Sequence, residues 1–90
     1  MPKKRIAILG STGSIGKDLL KIIEKDKNNF EIVLITANKN YKLVIKQAKK
    51  FKVKNVIIQN RNSFKVLKKY SKIENINIFN SFNSLDKIFK

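Results

Sequence analysis

Four short runs of apolar residues alternate along the chain with stretches in which apolar residues recur every three or four positions. The runs have the length of strands, and the stretches have the period of helices that bury one face. The runs occupy residues 6–9, 32–35, 56–58 and, with Asn77 as a polar interruption, 76–79. Strands that alternate with helices pair in parallel through right-handed crossovers. The pattern therefore predicts an α/β fold, a Rossmann-type parallel sheet with flanking helices, truncated at 90 residues.

The apolar positions also predict which faces are buried. The run 6–9 has no polar interruption, which is typical of a strand buried on both faces. For the first helix, the predicted buried residues are Ile15, Leu19, Ile22 and Ile23. For the later helices they are Tyr41, Val44, Ile45, Ala48 and Phe51, then Phe64, Leu67 and Tyr70, and finally Leu85, Ile88 and Phe89 within 84–90. Asn40 and Asn62 are the predicted caps of the second and third helices.

A glycine-rich segment, Gly10-Ser11-Thr12-Gly13-Ser14-Ile15-Gly16, joins the first strand to the first helix. We call it the glycine loop. Glycine after a strand permits a tight turn and lets a diphosphate approach the backbone. The N–H groups of the helix's first turn then point at the phosphate oxygens. Thr12 and Ser14 add hydroxyl donors, and Gly16 allows the helix to pack closely on the strand. No Gly-Lys-Ser/Thr follows, so this is a predicted dinucleotide site and not a P-loop.

The residues after the second strand predict which cofactor binds. NAD-preferring folds usually place an acid there to bind the ribose 2′-hydroxyl. This chain has Asn38-Lys39-Asn40 and no acid between Glu31 and Glu74. Lys39 attracts a 2′-phosphate, and the two asparagines can donate hydrogen bonds. NADPH is therefore predicted over NADH, the alternative being that Lys39 is one more surface lysine and Asn40 only a helix cap.

Composition limits the chemistry of the chain. Histidine and cysteine are absent, which removes disulfides, zinc clusters and the commonest general base. The six acidic residues are scattered, and no two have the spacing of a catalytic pair. We therefore expect the 90-residue chain alone to be catalytically inactive and to hold no metal.

The formal charge of +15 raises nucleic-acid binding as a hypothesis. All but two of the 21 basic residues are lysines, spread along the chain. Base readout favours arginine, and binding of single strands needs exposed aromatic residues, whereas the aromatics here mostly fall on core-facing positions. Solvated lysine faces are the favoured interpretation. No signal peptide and no membrane-spanning run is recognisable, so we expect a cytoplasmic protein without membrane contact.

Three segments together resemble the 1-deoxy-D-xylulose 5-phosphate reductoisomerase family. They are Ile8 with the following Leu9 and the glycine loop, Thr36-Ala37-Asn38-Lys39-Asn40, and Gln47-Ala48-Lys49-Lys50-Phe51 followed by Val53-Lys54-Asn55-Val56-Ile57-Ile58. The resemblance covers nearly the whole chain and is least distinctive over the last 15 or so residues.

The resemblance implies a part of an NADPH-dependent enzyme of non-mevalonate isoprenoid biosynthesis. Such an enzyme converts 1-deoxy-D-xylulose 5-phosphate to 2-C-methyl-D-erythritol 4-phosphate, and the full-length form is expected to be a homodimer that uses Mn or Mg. Residues 1–90 correspond to the N-terminal part of its NADP-binding domain, without the catalytic and C-terminal domains. The family's cofactor contacts carry over to Thr12, Gly13, Ser14, Ile15, Asn38, Lys39 and Asn40. Asn38 stands where glycine is common, so its effect on binding is open.

Two alternatives remain at this point. One is another NADP-dependent reductase with a GxTGxxG loop, such as an extended short-chain dehydrogenase or a semialdehyde dehydrogenase. The Ala37-Asn38-Lys39-Asn40 segment argues against it. The other is a small basic nucleotide- or nucleic-acid-binding module without catalysis, whose affinity would fall steeply with salt.

Overall fold

Strands and helices alternate in the structure as the apolar pattern predicts. The computed structural model describes residues 3–88, apart from the side chains of residues 70–74, 84 and 87. In chain order the elements are β1 (Lys4–Ile8), α1 (Ser14–Glu24), β2 (Phe30–Ala37), α2 (Tyr41–Phe51), β3 (Asn55–Ile58), α3 (Arg61–Glu74), β4 (Asn77–Phe79), a 3-10 turn (Phe82–Ser84) and α4 (Leu85–Ile88). None of the helices in this part of the chain is long and apolar enough to cross a membrane.

The strands form one parallel sheet in the order β1-β2-β3-β4. Each crossover moves one strand in the same direction, and right-handed connections then bring the intervening helices to one face. Leu20 of α1, Val44 of α2 and Leu67 of α3 accordingly share a buried cluster with Ile35 and Val56 of the sheet. The predicted α/β fold with a parallel sheet is confirmed.

The opposite face of the sheet carries a smaller cluster. Ile88 of α4 packs there with Val33, Leu34 and Ile57. The register of β1 on β2 shifts between Ile6 and Ala7, which leaves Val33 as an extra residue in β2. Adjacent residues of a strand normally point to opposite faces, and the shift accounts for Val33 and Leu34 lying in the same cluster.

The prediction that the first strand is buried on both faces is wrong. Ala7 is exposed, Ile6 is half-buried, and Leu9, directly after β1, is 63% exposed. In the described part of the chain, β1 pairs only with β2, and the cluster around α4 involves β2 and β3. The inner strand β2, by contrast, is buried over 32–37.

The predicted buried face of α1 is wrong for three of its four residues. Those three are Ile15 (79% exposed), Leu19 (44%) and Ile22 (64%), and we call them the outer stripe. The buried residues are Gly16, Leu20 and Ile23. A Cβ on Gly16 would lie 2.2 Å from the carbonyl oxygen of Gly10, so the helix rests on the loop at this point. That contact sets the rotation of α1 and turns Leu20 and Ile23, one and two turns later, towards the sheet.

The later helices follow their predictions more closely. In α2, the predicted Val44, Ile45 and Ala48 are buried, and Tyr41 and Phe51 are half-buried. In α3, Leu67 is buried and Phe64 half-buried, whereas the side chain of Tyr70 lies outside the described residues. The last helix is described only over Leu85–Ile88, and Phe89 also lies outside.

The predicted cap of α2 is confirmed, and the predicted cap of α3 is wrong. Asn40 Oδ1 accepts a hydrogen bond from the N–H of Leu43 at 3.2 Å, as expected. The cap of α3 is Asn60 and not Asn62, since Asn60 Oδ1 accepts from the N–H of Ser63 at 2.9 Å. α3 already begins at Arg61, so Asn62 lies inside its first turn and cannot serve as the residue before the helix.

Candidate cofactor site

The glycine loop leaves the carboxyl end of β1 and turns sharply into α1. Gly10 has φ +71°, a left-handed conformation that glycine adopts without strain. The N–H of Gly13 donates to Gly10 O at 3.0 Å and closes the turn. Ligands in open parallel sheets bind outside the carboxyl ends of the strands, so the loop lies at the appropriate edge of the sheet.

Two consecutive loop amides are held by the end of β2. The N–H of Gly10 donates to Thr36 Oγ1 and the N–H of Ser11 donates to Thr36 O, both at 2.9 Å. Because Thr36 lies two residues before Asn38, these bonds bring the glycine loop next to the segment after β2. The two predicted parts of the site therefore meet at one edge of the sheet.

Gln47 of α2 also holds the loop. Ser11 Oγ donates to Gln47 Oε1 at 2.7 Å, and Gln47 Nε2 donates to Ser11 O at 2.9 Å. From the sequence, Gln47 and Thr36 belong only to segments that resemble the family, and neither is predicted to hold the loop. A signal was present, since Gln47 is a polar residue three positions after Val44, on the core side of an amphipathic helix.

The first turn of α1 has no side-chain cap. Its N-cap is Gly13, which has no side chain to accept a hydrogen bond. The N–H of Lys17 donates to Gly13 O at 2.9 Å, so the amides of Ser14, Ile15 and Gly16 precede the helix's own ladder of hydrogen bonds. The first turn also contains no acidic residue. The positive end of the helix dipole therefore has no acidic side chain of the protein opposite it in the first turn and can bind an anion.

A side chain would have very different consequences at Gly13 and at Gly16. Gly13 is exposed, has φ −80°, and a Cβ there would meet only Gly10 O, at an ordinary 3.5 Å. Gly16 is buried, and a Cβ there would lie 2.6 Å from Ser11 Cα as well as against Gly10. Open space lies in front of Gly13, where a phosphate would approach, and Gly16 serves the packing of α1 on the loop.

The segment 38–40 is exposed, and its backbone is fixed by the loop that follows β3 and by the first turn of α3. The N–H of Asn60 donates to Asn38 O at 2.8 Å, and Ser63 Oγ donates to Lys39 O at 2.9 Å. The side chains of Asn38 and Lys39 extend into solvent from this fixed backbone. Asn40 Oδ1 is used in capping α2, which leaves its amide N–H₂ group as the donor.

The charges at this edge suit an anionic ligand. The glycine loop and the segment 38–40 contain no Asp or Glu, and Lys17 and Lys39 are exposed there. Among the side chains that the structure describes, no group of three or more His, Cys, Asp or Glu could hold a metal ion. A cavity of about 430 Å³ lies at the opposite, amino edge of the sheet, lined among others by Phe30 and Phe51, and is unrelated to this site.

A family model decides where the chain belongs. The model described as 1-deoxy-D-xylulose 5-phosphate reductoisomerase matches residues 6–89. The chain belongs to the 1-deoxy-D-xylulose 5-phosphate reductoisomerase family. This membership decides against the alternative of another reductase with the same loop.

Relatives of the same family name match the chain at high identity. The reductoisomerase of Pelagibacter ubique (strain HTCC1062) is 58% identical over 86 residues, which are 96% of this chain and 22% of that protein. The reductoisomerase of Clostridium botulinum (strain Okra / Type B1) is 45% identical over 67 residues, 74% of this chain and 17% of that protein. The chain thus spans about a fifth of the length of these relatives.

Solved structures of reductoisomerases have the same fold. The enzyme from Zymomonas mobilis in complex with NADPH matches with a TM-score of 0.85 at 25% identity, over 97% of this chain and 23% of that one. A reductoisomerase in complex with NADPH, fosmidomycin and magnesium matches with a TM-score of 0.83 at 24% identity, over 94% of this chain and 21% of that one. The parallel sheet described above is therefore shared with family members.

The predicted cofactor residues fall on two adjoining segments of this reductoisomerase fold. The segment 38–40 and the glycine loop are joined through Thr36. Ile15 and Ser14 are exposed at the start of α1, Thr12 is half-buried, and Gly16 is enclosed. Their contacts with a cofactor stay predictions. Ser11 was not predicted to bind the cofactor, and its polar atoms are in fact occupied by Thr36 and Gln47.

Proposed function

We propose that this chain binds NADPH and is the NADPH-binding portion of a 1-deoxy-D-xylulose 5-phosphate reductoisomerase. The observation that carries the proposal is the uncapped first turn of α1, which follows the exposed Gly13 and is hydrogen-bonded through its loop to the end of β2. The bound NADPH of the Zymomonas mobilis relative supports it.

The pyrophosphate is assigned to the glycine loop. The amides of Ser14 and Ile15 would donate to its oxygens, with the hydroxyl groups of Thr12 and Ser14 as further donors. Gly10 and Gly13 allow the loop to curve around the phosphates without a Cβ in the way. Gly16 contributes by keeping α1 close to the loop, which aims the first-turn amides outward.

The adenosine 2′-phosphate is assigned to the segment 38–40. Lys39 would form a charge-assisted hydrogen bond with it, and Asn38 and Asn40 would donate from their amide groups. The side chain of Asn38 also occupies space beside the ribose. No carboxylate is present in this segment to select a free 2′-hydroxyl or to repel the phosphate.

The complete reaction belongs to a longer polypeptide. In the proposed full-length enzyme, 1-deoxy-D-xylulose 5-phosphate is rearranged and reduced to 2-C-methyl-D-erythritol 4-phosphate, and NADPH supplies the hydride. Residues 1–90 would form the first part of the NADP-binding domain, and the residues that hold Mn or Mg and the substrate would come from elsewhere. One solved relative contains magnesium together with NADPH and fosmidomycin.

The partners proposed for the full-length enzyme are its substrate and a second copy of itself, in the cytoplasm. Nucleic acid is not proposed as a partner. Arg5 and Arg61 are the two arginines of the chain, and the described phenylalanines are at least half-buried. Stacking platforms and arginine readout, the usual means of recognising bases, are therefore scarce.

Calorimetric titration with NADPH and NADH tests the proposal. We expect NADPH to bind at least about tenfold more tightly, because a charged hydrogen bond contributes about 1.5–3 kcal/mol. Lys39→Gln should remove most of this preference. Lys54→Gln makes the same charge change at the amino edge, next to β3, and should leave it intact. Equal affinity of the wild-type chain for both cofactors, or tighter binding of NADH, would contradict the proposal.

A further inference from the structure

Ser11 is the most enclosed residue of the glycine loop, with 0% of its surface exposed. Its N–H donates to Thr36 O at 2.9 Å, and its Oγ donates to Gln47 Oε1 at 2.7 Å. Its carbonyl oxygen accepts from Gln47 Nε2 at 2.9 Å. Each polar group of Ser11 is thus occupied within the protein. Ser11 fixes the loop and is unable to contact a ligand.

Gln47 is 8% exposed and lies 36 positions from Ser11 in the chain. Both polar atoms of its side-chain amide contact Ser11, one as acceptor and one as donor. A buried amide without hydrogen-bond partners destabilises the fold. The amide of Gln47 has both partners only when the loop places Ser11 at this position. Gln47 therefore selects one conformation of the loop.

Thr36 acts on the same loop from β2. Its side-chain oxygen accepts from the N–H of Gly10 and its carbonyl oxygen from the N–H of Ser11. These two amides are consequently occupied within the protein, whereas Ser14 and Ile15, which follow Gly13 at the start of α1, are exposed. Gly10 and Gly13 give the free loop many accessible conformations, and the contacts with Thr36 and Gln47 restrict it to one.

We infer that Gln47 and Thr36 are positioning residues for the phosphate site, which preorganise the glycine loop for the pyrophosphate without touching the cofactor. The inference rests on the proposed binding of NADPH. A loop that is already in its binding conformation loses less conformational freedom when the ligand arrives, and affinity rises accordingly. A loop released from Gln47 must be ordered by the pyrophosphate itself.

Loss of Gln47 should affect the affinities for two ligands differently. NADPH contains the pyrophosphate, whereas adenosine 2′-monophosphate offers only the group assigned to Lys39 and its neighbours. Gln47 contacts Ser11 and has no hydrogen bond with the segment 38–40 in the described structure. Loss of Gln47 should therefore weaken NADPH and spare adenosine 2′-monophosphate, whereas general loss of structure would weaken both.

Titration of the chain with both ligands provides the first test. Gln47→Leu keeps the approximate size of the side chain and removes both hydrogen bonds, and we expect about tenfold weaker NADPH binding with adenosine 2′-monophosphate changed by less than about twofold. Asn55→Leu is the matched control. It removes the bonds to Val33 O and Asn77 at the amino edge and should leave both affinities unchanged. Unaltered NADPH binding by Gln47→Leu, or equal losses for both ligands, overturns the inference.

A second variant covers the case in which Gln47→Leu does not fold. Ser11→Ala removes the hydroxyl donor and leaves the backbone bonds to Thr36 and Gln47 in place, so a several-fold loss of NADPH affinity is expected. If the wild-type chain binds neither ligand, the proposed function itself fails. If the wild-type chain binds NADPH and Ser11→Ala binds it equally well, only the inference fails.

Hydrogen exchange on the wild-type chain needs no variant. The amides of Gly10 and Ser11 should exchange slowly before any ligand is added, because Thr36 already binds them. The amides of Ser14 and Ile15 should become protected only with NADPH. Protection of Gly10 and Ser11 that appears only with NADPH would mean that the cofactor, and not the protein, orders the loop.

Discussion

The loop glycines differ in how much room each has for a side chain. Gly10 adopts the left-handed conformation, Gly13 has an extended backbone and faces open space, and Gly16 touches the carbonyl of Gly10. Replacement of Gly16 would push α1 away from the loop and from the sheet. Replacement of Gly13 would fill the space in front of the first-turn amides and disturb little else.

We expect Gly13→Val to abolish NADPH binding while the chain stays folded, because its methyl groups would occupy the place assigned to the pyrophosphate. Circular dichroism and calorimetric titration measure the two effects separately. Gly16→Ala provides the contrast, with a loss of at least about 1–3 kcal/mol in the free energy of unfolding from overpacking against backbone. A folded Gly13→Val chain that still binds NADPH would show that the phosphate site lies elsewhere.

Short-range residue roles could be predicted from the sequence, and long-range ones could not. Asn40 was correctly assigned as a cap because it directly precedes a clear helical pattern. The cap of α3 is not predictable in this way, because Asn60, Asn62 and Ser63 all favour helix starts and the sequence does not say at which residue α3 begins. The partnership of Ser11 with Gln47 depends on how α2 packs against the glycine loop, which no local pattern encodes.

At the scale of elements, α1 has two apolar stripes and only one is buried. The outer stripe (Ile15, Leu19 and Ile22) and the buried residues around Leu20 form one broad apolar arc in the sequence. Hydrophobic periodicity defines the arc but not the part of it that meets the sheet. Gly16 identifies that part, because a helix approaches a neighbouring backbone most closely where a side chain is missing.

Replacing a residue by alanine should have a large effect on stability in the buried stripe and a small effect in the outer stripe. Leu20→Ala should lower the free energy of unfolding by about 2–5 kcal/mol, because Leu20 is 4% exposed and leaves a cavity in the main cluster. Ile22→Ala, in the exposed outer stripe, should change the free energy of unfolding by less than about 0.5 kcal/mol. Urea denaturation of the two variants measures both values. Comparable losses would mean that the outer stripe is buried in the folded chain.

The sheet could be predicted in its order of elements and its parallel pairing. The alternation of strands and helices and the handedness of crossovers are general properties of polypeptides, and together they predict parallel pairing. They do not predict the order β1-β2-β3-β4, which the structure shows. The exposure of β1 could not be predicted, because an uninterrupted apolar run is the same whether a strand has two neighbours or one. Burial of such a run depends on elements that are distant in the sequence.

For the molecule as a whole, we expect the 90-residue chain to bind the cofactor without catalysing the reaction. We expect no reductoisomerase activity from this chain with NADPH and either Mg or Mn, because a divalent ion needs several oxygen ligands that converge on one point. Asp18 and Glu24 both lie on α1, the other four acids lie elsewhere along the chain, and none directly follows the last residue of a strand. The absorbance of NADPH after addition of 1-deoxy-D-xylulose 5-phosphate measures the activity.

The control for this assay is a preparation of Gly13→Val purified in the same way, which reveals any contaminating host enzyme. If oxidation of NADPH depends on the substrate and is faster with the wild-type chain than with the Gly13→Val preparation, the chain itself completes a catalytic site.

The outer side of β1 carries a row of backbone N–H and C=O groups with no neighbouring strand in the described sheet. Such a row is a template on which another copy can pair. Lys3, Lys4 and Arg5 stand at its start, and each copy carries a formal charge of +15, so approaching copies repel each other. Salt shortens the range of this repulsion, to about 10 Å at 0.1 M and about 3 Å at 1 M. Among copies of the 90-residue chain, the excess of lysine therefore opposes pairing along this edge, and we expect pairing to increase with salt.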